Sequence, residues 1–276
     1  MHLLSITWDS DGVLFHIGSF PLRYYSLMFI VAFSAGWYIM KRIYNNEGIS
    51  EEKLDPLFIY TVVATLIGAR LGHFIFYEPE VFLSDPLSVF LPFEFSPEFR
   101  FTGFQGLASH GAAIGIIIAM YLYSRRVVEK PVLWILDRIV IPVAFGGIFV
   151  RLGNFFNSEI VGKPTNSDYG VIFSRLGETF PRHPAQLYEA FGYIIVFIVL
   201  WQVYWKTDKK DRLGYIFGLF LVLLWTVRFI AEFFKRSQGG FESALGLFTT
   251  GQWLSIPFII AGFYFMYRNT KKVSHA

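Results

Sequence analysis

The chain has 276 residues, 54% of them hydrophobic, 20% aromatic and 16% charged, with 32 Phe and a mean hydropathy of +0.46. So much apolar surface is more than a soluble domain needs and points to a polytopic membrane protein. With no Cys there are no disulfides, no thiolate metal site and no thiol nucleophile of the chain's own; the net charge of +3 means little by itself, and no nucleic-acid partner is expected.

The first 20 residues carry Asp9 and Asp11 and lack a basic stretch followed by an apolar run, so no cleaved signal peptide is expected. A membrane span needs roughly 20 mostly apolar residues. Seven stretches qualify, at about 22–40, 56–77, 106–124, 132–156, 186–205, 213–234 and 252–267. The predicted fold is an all-α polytopic membrane protein, with residues 1–276 as one seven-span domain. The connecting segments alternate in charge. Segments 41–55, 125–131, 206–212 and 268–276 hold thirteen Lys/Arg; segments 1–21, 78–105, 157–185 and 235–251 hold six. Positive loops face the cytoplasm. That sets the N-terminus outside and the C-terminus cytoplasmic, as an odd number of spans requires. Segment 78–105 mixes acids, prolines and aromatics, as an arm lying in the membrane interface does. Segment 157–185 is the longest polar outer loop and is expected to form a small cap. Segment 206–212 reads as an ordinary charged turn.

With this orientation, six spans put their unusual side chains at one level, the outer half of the bilayer. The first enters at Arg23, Tyr24 and Tyr25; the second carries Arg70; the third begins at Ser109, His110 and Gly111. The fourth ends with Arg151 and Asn154, the fifth starts with His183, Gln186, Tyr188 and Glu189, and the sixth ends with Arg228 and Glu232. Asp137 and Arg138, near the cytoplasmic end of the fourth, are placed to snorkel. A transporter would gather polar groups at the midplane or scatter them through the thickness. One-sided clustering instead suggests chemistry on something reached from the outer leaflet.

The densest cluster runs from Arg151 through Asn154, Asn157 and Glu159 to Gly162. Arg151 and Asn154 are three apart and share a helix face; Gly147, one turn earlier, leaves room beside them. Charged groups at membrane depth are costly and mark function by default. Simpler readings exist for single residues. Ser109 would cap a helix in which Gly111, Ala112, Ala113 and Gly115 permit close packing. His183-Pro184 would start a helix, and Arg228 and Glu232, four apart, would neutralise each other. Taken together, however, Arg70, Arg151 and Arg228 have few intramembrane acids to pair them. The missing partner is then an anion, and Arg suits a forked grip on phosphate. A phospholipid headgroup fits the depth and the charge.

The residues Arg151, Gly153, Asn154, Asn157, Ser158 and Glu159, the Ser109-His110-Gly111 start, His183 to Glu189, and Arg228 to Glu232 together resemble the prolipoprotein diacylglyceryl transferases of bacteria. The resemblance covers nearly the whole chain and includes Arg23 to Tyr25, Gly68 to Arg70, and Thr250 to Gln252. Four positions depart from the family pattern. Val150, Ala112 and Ser158 stand where Gly is usual, and Leu224 stands where a Tyr is frequent, leaving Tyr24, Tyr25 or Tyr188 to supply a hydroxyl.

The resemblance implies transfer of diacylglyceryl from phosphatidylglycerol to the lipobox cysteine of a prolipoprotein signal peptide, with glycerol phosphate released. It implies an enzyme without metal or cofactor, of the class that transfers alkyl groups other than methyl, in the bacterial inner membrane, performing the first step of lipoprotein maturation. The expected catalytic residues are Arg151, Arg228 and His110, with His110 as the base. Arg151, Asn154, Glu159, Gly162, Tyr25, Arg70, Glu232, His183, Gln186 and Tyr188 are expected to bind substrate, and Glu232 to position Arg228. The rival readings are a transporter or flippase of an anionic lipid and a structural protein with snorkelling arginines.

Overall fold

The computed structural model describes residues 4–18, 20–84, 91, 93–94, 100–101, 108–236 and 247–268. Among them are seven long helices: α1 (Tyr24–Asn46), α2 (Leu54–Tyr77), α3 (Ser109–Tyr123), α4 (Val132–Phe156), α5 (Ala185–Lys206), α6 (Tyr215–Ala231) and α7 (Thr250–Tyr267). Five segments, Tyr24–Asn46, Glu51–Phe76, Gly111–Val128, Val132–Phe156 and Ala185–Lys206, are long and apolar enough to cross a membrane. α6 is a shorter apolar helix. The outward faces repeat at helical spacing. On α5, Phe191, Ile194, Ile195 and Ile198 are exposed while Gly192, Tyr193, Val196, Leu200 and Tyr204 are buried. In water such a stripe would be a liability; in a bilayer it meets lipid.

The chain divides into two compact units, Lys41–Ile135 and Met1–Met40 together with Leu136–Ala276. In the Lys41–Ile135 unit, α2 and α3 touch backbone to backbone. A Cβ on Gly72 would stand 2.5 Å from the Cα of Gly111, and one on Gly115 would stand 2.6 Å from the Ala64 carbonyl oxygen. The small residues of α3 therefore serve close packing, as expected. Ser109 is not its N-cap. Ala108 holds that place, and its N–H donates to the Ala69 carbonyl at 3.0 Å. Two short strands, β4 (Phe93–Glu94) and β5 (Arg100–Phe101), pair antiparallel in the segment read as an interfacial arm, Phe93 opposite Phe101 and Glu94 opposite Arg100. Most of that segment falls outside the described residues.

The other unit carries strands that an all-helical reading missed. β1 (Leu4–Trp8) pairs in parallel with β6 (Tyr169–Phe173), Leu4 opposite Tyr169 and Trp8 opposite Phe173. β2 (Val13–Ile17) and β3 (Phe20–Arg23) form a hairpin that runs straight into α1. These strands are short, and β1 and β6 are far apart in sequence, so no local alternation announced the pairing. Their effect is to tether the N-terminus to the end of α4. Trp8 packs on Phe155 with ring centroids 4.6 Å apart, and Tyr24 stacks on Phe156 at 4.3 Å.

Asp137 and Arg138 do not snorkel; both are buried. The Asp137 carboxylate accepts the backbone N–H groups of Gly214 (2.7 Å) and Phe217 (2.8 Å) at the start of α6. Those are donors a helix cannot satisfy by itself, at the positive end of its dipole. Arg138 donates to the Lys210 carbonyl at 3.3 Å. Arg138 thus ties down the 206–212 turn, while Asp137 holds the start of α6 that follows it.

Candidate functional site

The last turn of α4 presents Arg151 and Asn154 on one face, as the spacing required. The Arg151 guanidinium donates through Nη1 to Asn154 Oδ1 at 3.1 Å. Asn154 Nδ2 donates to one oxygen of Glu159 (3.2 Å) and Asn157 Nδ2 to the other (3.1 Å). Holding that carboxylate in place requires a tight turn. Ser158 and Ile160, on either side of Glu159, both have φ +55°, a left-handed conformation that non-glycine residues adopt at a cost. Gln186, buried on α5, donates to the Glu159 main-chain carbonyl at 2.5 Å. Tyr25, the second residue of α1, interacts with Asn154 through its side chain. Its ring lies so close to Gly153 that a Cβ there would stand 2.6 Å from it.

α5 brings a second layer. Gly147 on α4 does leave room, and the ring of Tyr193 occupies it, 3.0 Å from where a Cβ would be. Tyr193 interacts with Arg151 and lies near Arg228. One turn before Tyr193 is Glu189, with no solvent exposure. Its Oε2 is 3.1 Å from Arg151 Nε and its Oε1 is 3.0 Å from Lys235 Nζ. Lys235 also reaches Glu232 at 3.2 Å. Thr249, the N-cap of α7, donates its hydroxyl to the other oxygen of Glu232 at 3.2 Å. Gly251 abuts that carboxylate so closely that any Cβ would overlap it. An alternating row therefore runs Arg151, Glu189, Lys235, Glu232.

This row corrects two expectations. Glu232 is engaged by Lys235 and Thr249, and among the described residues no ion pair joins it to Arg228. The intramembrane acid that pairs Arg151 is Glu189, which pattern reading passed over as one letter of a helix start. Lys235 was missed as a loop cation; its position three residues after Glu232 was the available signal. Arg228 lies over the Trp225 ring at 5.6 Å and has no carboxylate partner among the described residues.

Several buried polar atoms here have no hydrogen-bond partner among the described residues: Arg151 Nε, Asn157 Oδ1, Ser158 Oγ, Gln186 Oε1, Glu189 Oε2 and Arg228 Nε. Buried donors and acceptors are nearly always paired, because leaving one unpaired costs about 1–3 kcal/mol. Arg151 and Glu189 are close enough to attract but not aligned to hydrogen-bond. The directional capacity of the Arg151 Nε–H is therefore unused among the described residues, while another N–H of the same group serves Asn154.

The remaining predicted residues separate into three groups. His183 Nδ1 and the Tyr188 hydroxyl are 3.1 Å apart, and the Tyr188 and Tyr169 hydroxyls are again 3.1 Å apart. Gly162 is fully engaged by the fold. Its N–H donates to the His183 carbonyl (3.1 Å), its carbonyl accepts from Arg182 (2.9 Å), and a Cβ would strike His183. Its backbone N–H is therefore taken up within the fold, and no side chain larger than hydrogen fits at this position. Arg70 and His110 belong to the Lys41–Ile135 unit. Arg70 is buried, 4.7 Å over the Phe74 ring. His110 is in the first turn of α3, and its side chain is outside what the structure describes.

Residues 12–268 match the family described as prolipoprotein diacylglyceryl transferase. The chain belongs to that family. A phosphatidylglycerol–prolipoprotein diacylglyceryl transferase of Tolumonas auensis is 42% identical over 265 residues, covering 96% of this chain and 98% of the relative. Proteins of the same name from Bacteroides fragilis (41% over 274 residues, 99% and 98%) and Chloroherpeton thalassium (39% over 267 residues, 97% and 95%) are similar throughout. Two departures from the family pattern acquire physical meaning. Ser158 sits at positive φ, where Gly is unstrained. Leu224 packs against the cluster of Ile148, Ala190 and Tyr193. A hydroxyl beside Arg151 therefore comes from Tyr193 on α5, which was not among the tyrosines considered.

Proposed function

We infer that this chain transfers the diacylglyceryl group of phosphatidylglycerol to the thiol of a prolipoprotein cysteine. The full-length likeness to relatives carrying that name supports the reading. The observation that carries the site is the pair of partly buried arginines, Arg151 and Arg228, whose buried Nε atoms have no hydrogen-bond partner among the described residues. A phosphate diester offers the acceptor oxygens they lack.

In the reaction the cysteine S–C bond forms at the glycerol carbon as the C–O bond to phosphate breaks. The electron pair leaves with the phosphate, glycerol phosphate is released, and the thiol proton passes to a base. A thiol of pKa about 8.5 needs such help. We assign Arg151 to the headgroup phosphate and Arg228 to charge developing on the leaving phosphate. Asn154 and Glu159, with Tyr25 and Gln186 behind them, receive the glycerol hydroxyls. His110 is the base we assign on family resemblance, and Arg70 a further anion contact.

Seven spans are proposed, α6 and α7 included, with the N-terminus outside, the C-terminus cytoplasmic and the site opening to the outer leaflet of the inner membrane. The charge alternation of the loops supports this orientation. Segment 78–105 is the interfacial arm and 157–185 the outer cap. The acceptor is the lipobox cysteine of a signal peptide. No observation favours transport of an anionic lipid.

The test is incubation of the purified protein with a lipobox peptide in vesicles of phosphatidylglycerol, and separately of phosphatidylethanolamine. The peptide should gain the mass of one diacylglyceryl group in the first vesicles only. An unmodified peptide in both, with the protein folded, would refute the reading.

A further inference from the structure

Lys235 belongs to no helix. Its backbone is nevertheless fixed, because the segment after α6 pairs with the turn that follows Glu159. Lys163 N–H donates to the Phe234 carbonyl at 2.7 Å, Arg236 N–H to the Val161 carbonyl at 3.2 Å, and Gly162 and Lys235 form an antiparallel bridge. This arrangement sends a 4%-exposed ammonium group inward, between Glu189 and Glu232. A buried ammonium is retained only where its charge is matched.

We propose that Lys235 is a positioning residue, which keeps Arg151 available to the lipid phosphate by competing for Glu189. The inference rests on the functional reading above. The geometry at Glu189 is divided. Oε1 is hydrogen-bonded to Lys235 at 3.0 Å, while Oε2 faces Arg151 at 3.1 Å without a hydrogen bond. An isolated carboxylate beside an isolated guanidinium closes into a two-bond fork, the strongest arrangement open to it. Lys235 prevents that by claiming one oxygen. Arg151 then feels enough negative charge to be tolerated at this depth, and its N–H groups stay directed at Asn154 and at substrate. Removing the lysine charge lets Glu189 swing both oxygens onto Arg151, which sequesters the group that should grip phosphate. Glu232 loses a partner as well but keeps Thr249.

The experiment measures kcat, KM for phosphatidylglycerol and the thermal midpoint of unfolding for Lys235→Gln, Lys235→Arg, and the double variant Glu189→Gln/Lys235→Gln. Lys235→Gln should lose roughly a hundredfold in kcat/KM for the lipid, consistent with losing one strong anion contact. Its KM for the peptide should not change. Lys235→Arg should restore most of the rate. In the double variant the competing charge is gone, so activity should return to within about tenfold of wild type. That return separates positioning from a direct contact between Lys235 and the phosphate, which would leave the double variant as inactive as the single one. If Lys235→Gln does not stay folded, the double variant decides alone: activity about a hundredfold or more below wild type overturns the proposal. So does a wild-type rate in Lys235→Gln. A wild-type protein without transfer in phosphatidylglycerol vesicles overturns the functional reading and this inference with it.

Discussion

Glu189 Oε2 lies 3.1 Å from Arg151 Nε, and neither atom makes a hydrogen bond among the described residues. The charges are matched while the directional bonds are kept back. The pair sets an opposite charge beside Arg151 while its Nε–H makes no hydrogen bond among the described residues.

Charge alone should not satisfy the site. Arg151→Lys keeps the positive charge next to Glu189 but loses the planar fork and the Nη1 donation to Asn154. Transfer should fall by roughly a hundredfold or more, with little change in the unfolding midpoint. Initial-rate measurements with lipobox peptide check this; a variant at half the wild-type rate would show that a point charge suffices.

The Glu159 turn carries strain that one substitution should relieve. Ser158 sits at φ +55° with its hydroxyl buried and unpaired. Ser158→Gly removes both penalties and should stabilise the protein by about 0.5–1 kcal/mol, seen as a raised thermal midpoint in detergent. A lowered midpoint would mean that the turn is not under strain.

Gly251 is held by contact, not by backbone conformation. A methyl group at this position would overlap the Glu232 carboxylate. Gly251→Ala should destabilise by about 1–3 kcal/mol and displace Glu232 from Lys235. Activity per folded molecule should fall too, because Lys235 then has only Glu189. Thermal melts and specific activity measured on the same preparation separate the two effects.

The opposite result is expected at the other end of α4. Asp137 caps the start of α6 through Gly214 and Phe217. Asp137→Ala should cost about 1–3 kcal/mol of stability, since it leaves two backbone donors and Arg138 without their carboxylate. The specific activity of the molecules that remain folded should not change. A specific loss of turnover would tie this end of the helix to the chemistry.

The grouping of Arg151, Asn154 and Glu159 in the candidate site was legible because these residues announce themselves locally. Arg151, Asn154 and Glu159 are close in sequence at the end of an apolar run, and helical spacing alone puts the first two on one face. What escaped was tertiary. Glu189 and Lys235 are 46 residues apart, and nothing local says that an acid on one helix meets a cation beyond the end of another. Asp137 was misread for the same reason: a charge near a helix end is usually a snorkelling one, and only the approach of Gly214 turns it into a buried cap. The strands were hidden because β1 and β6 are each five residues long and pair across most of the chain. Close helix contact at Gly111 and Gly115 was foreseeable, since small residues at that spacing have little other use in a membrane.

The central claim is that Arg151 and Arg228 hold the phosphate of a lipid. Its most direct test is the initial rate of diacylglyceryl transfer to a lipobox peptide in phosphatidylglycerol vesicles, compared between wild type, Arg151→Ala and Arg228→Ala. Both variants should fall below about a hundredth of the wild-type rate while unfolding at nearly the wild-type temperature. Either variant working at the wild-type rate would contradict the claim.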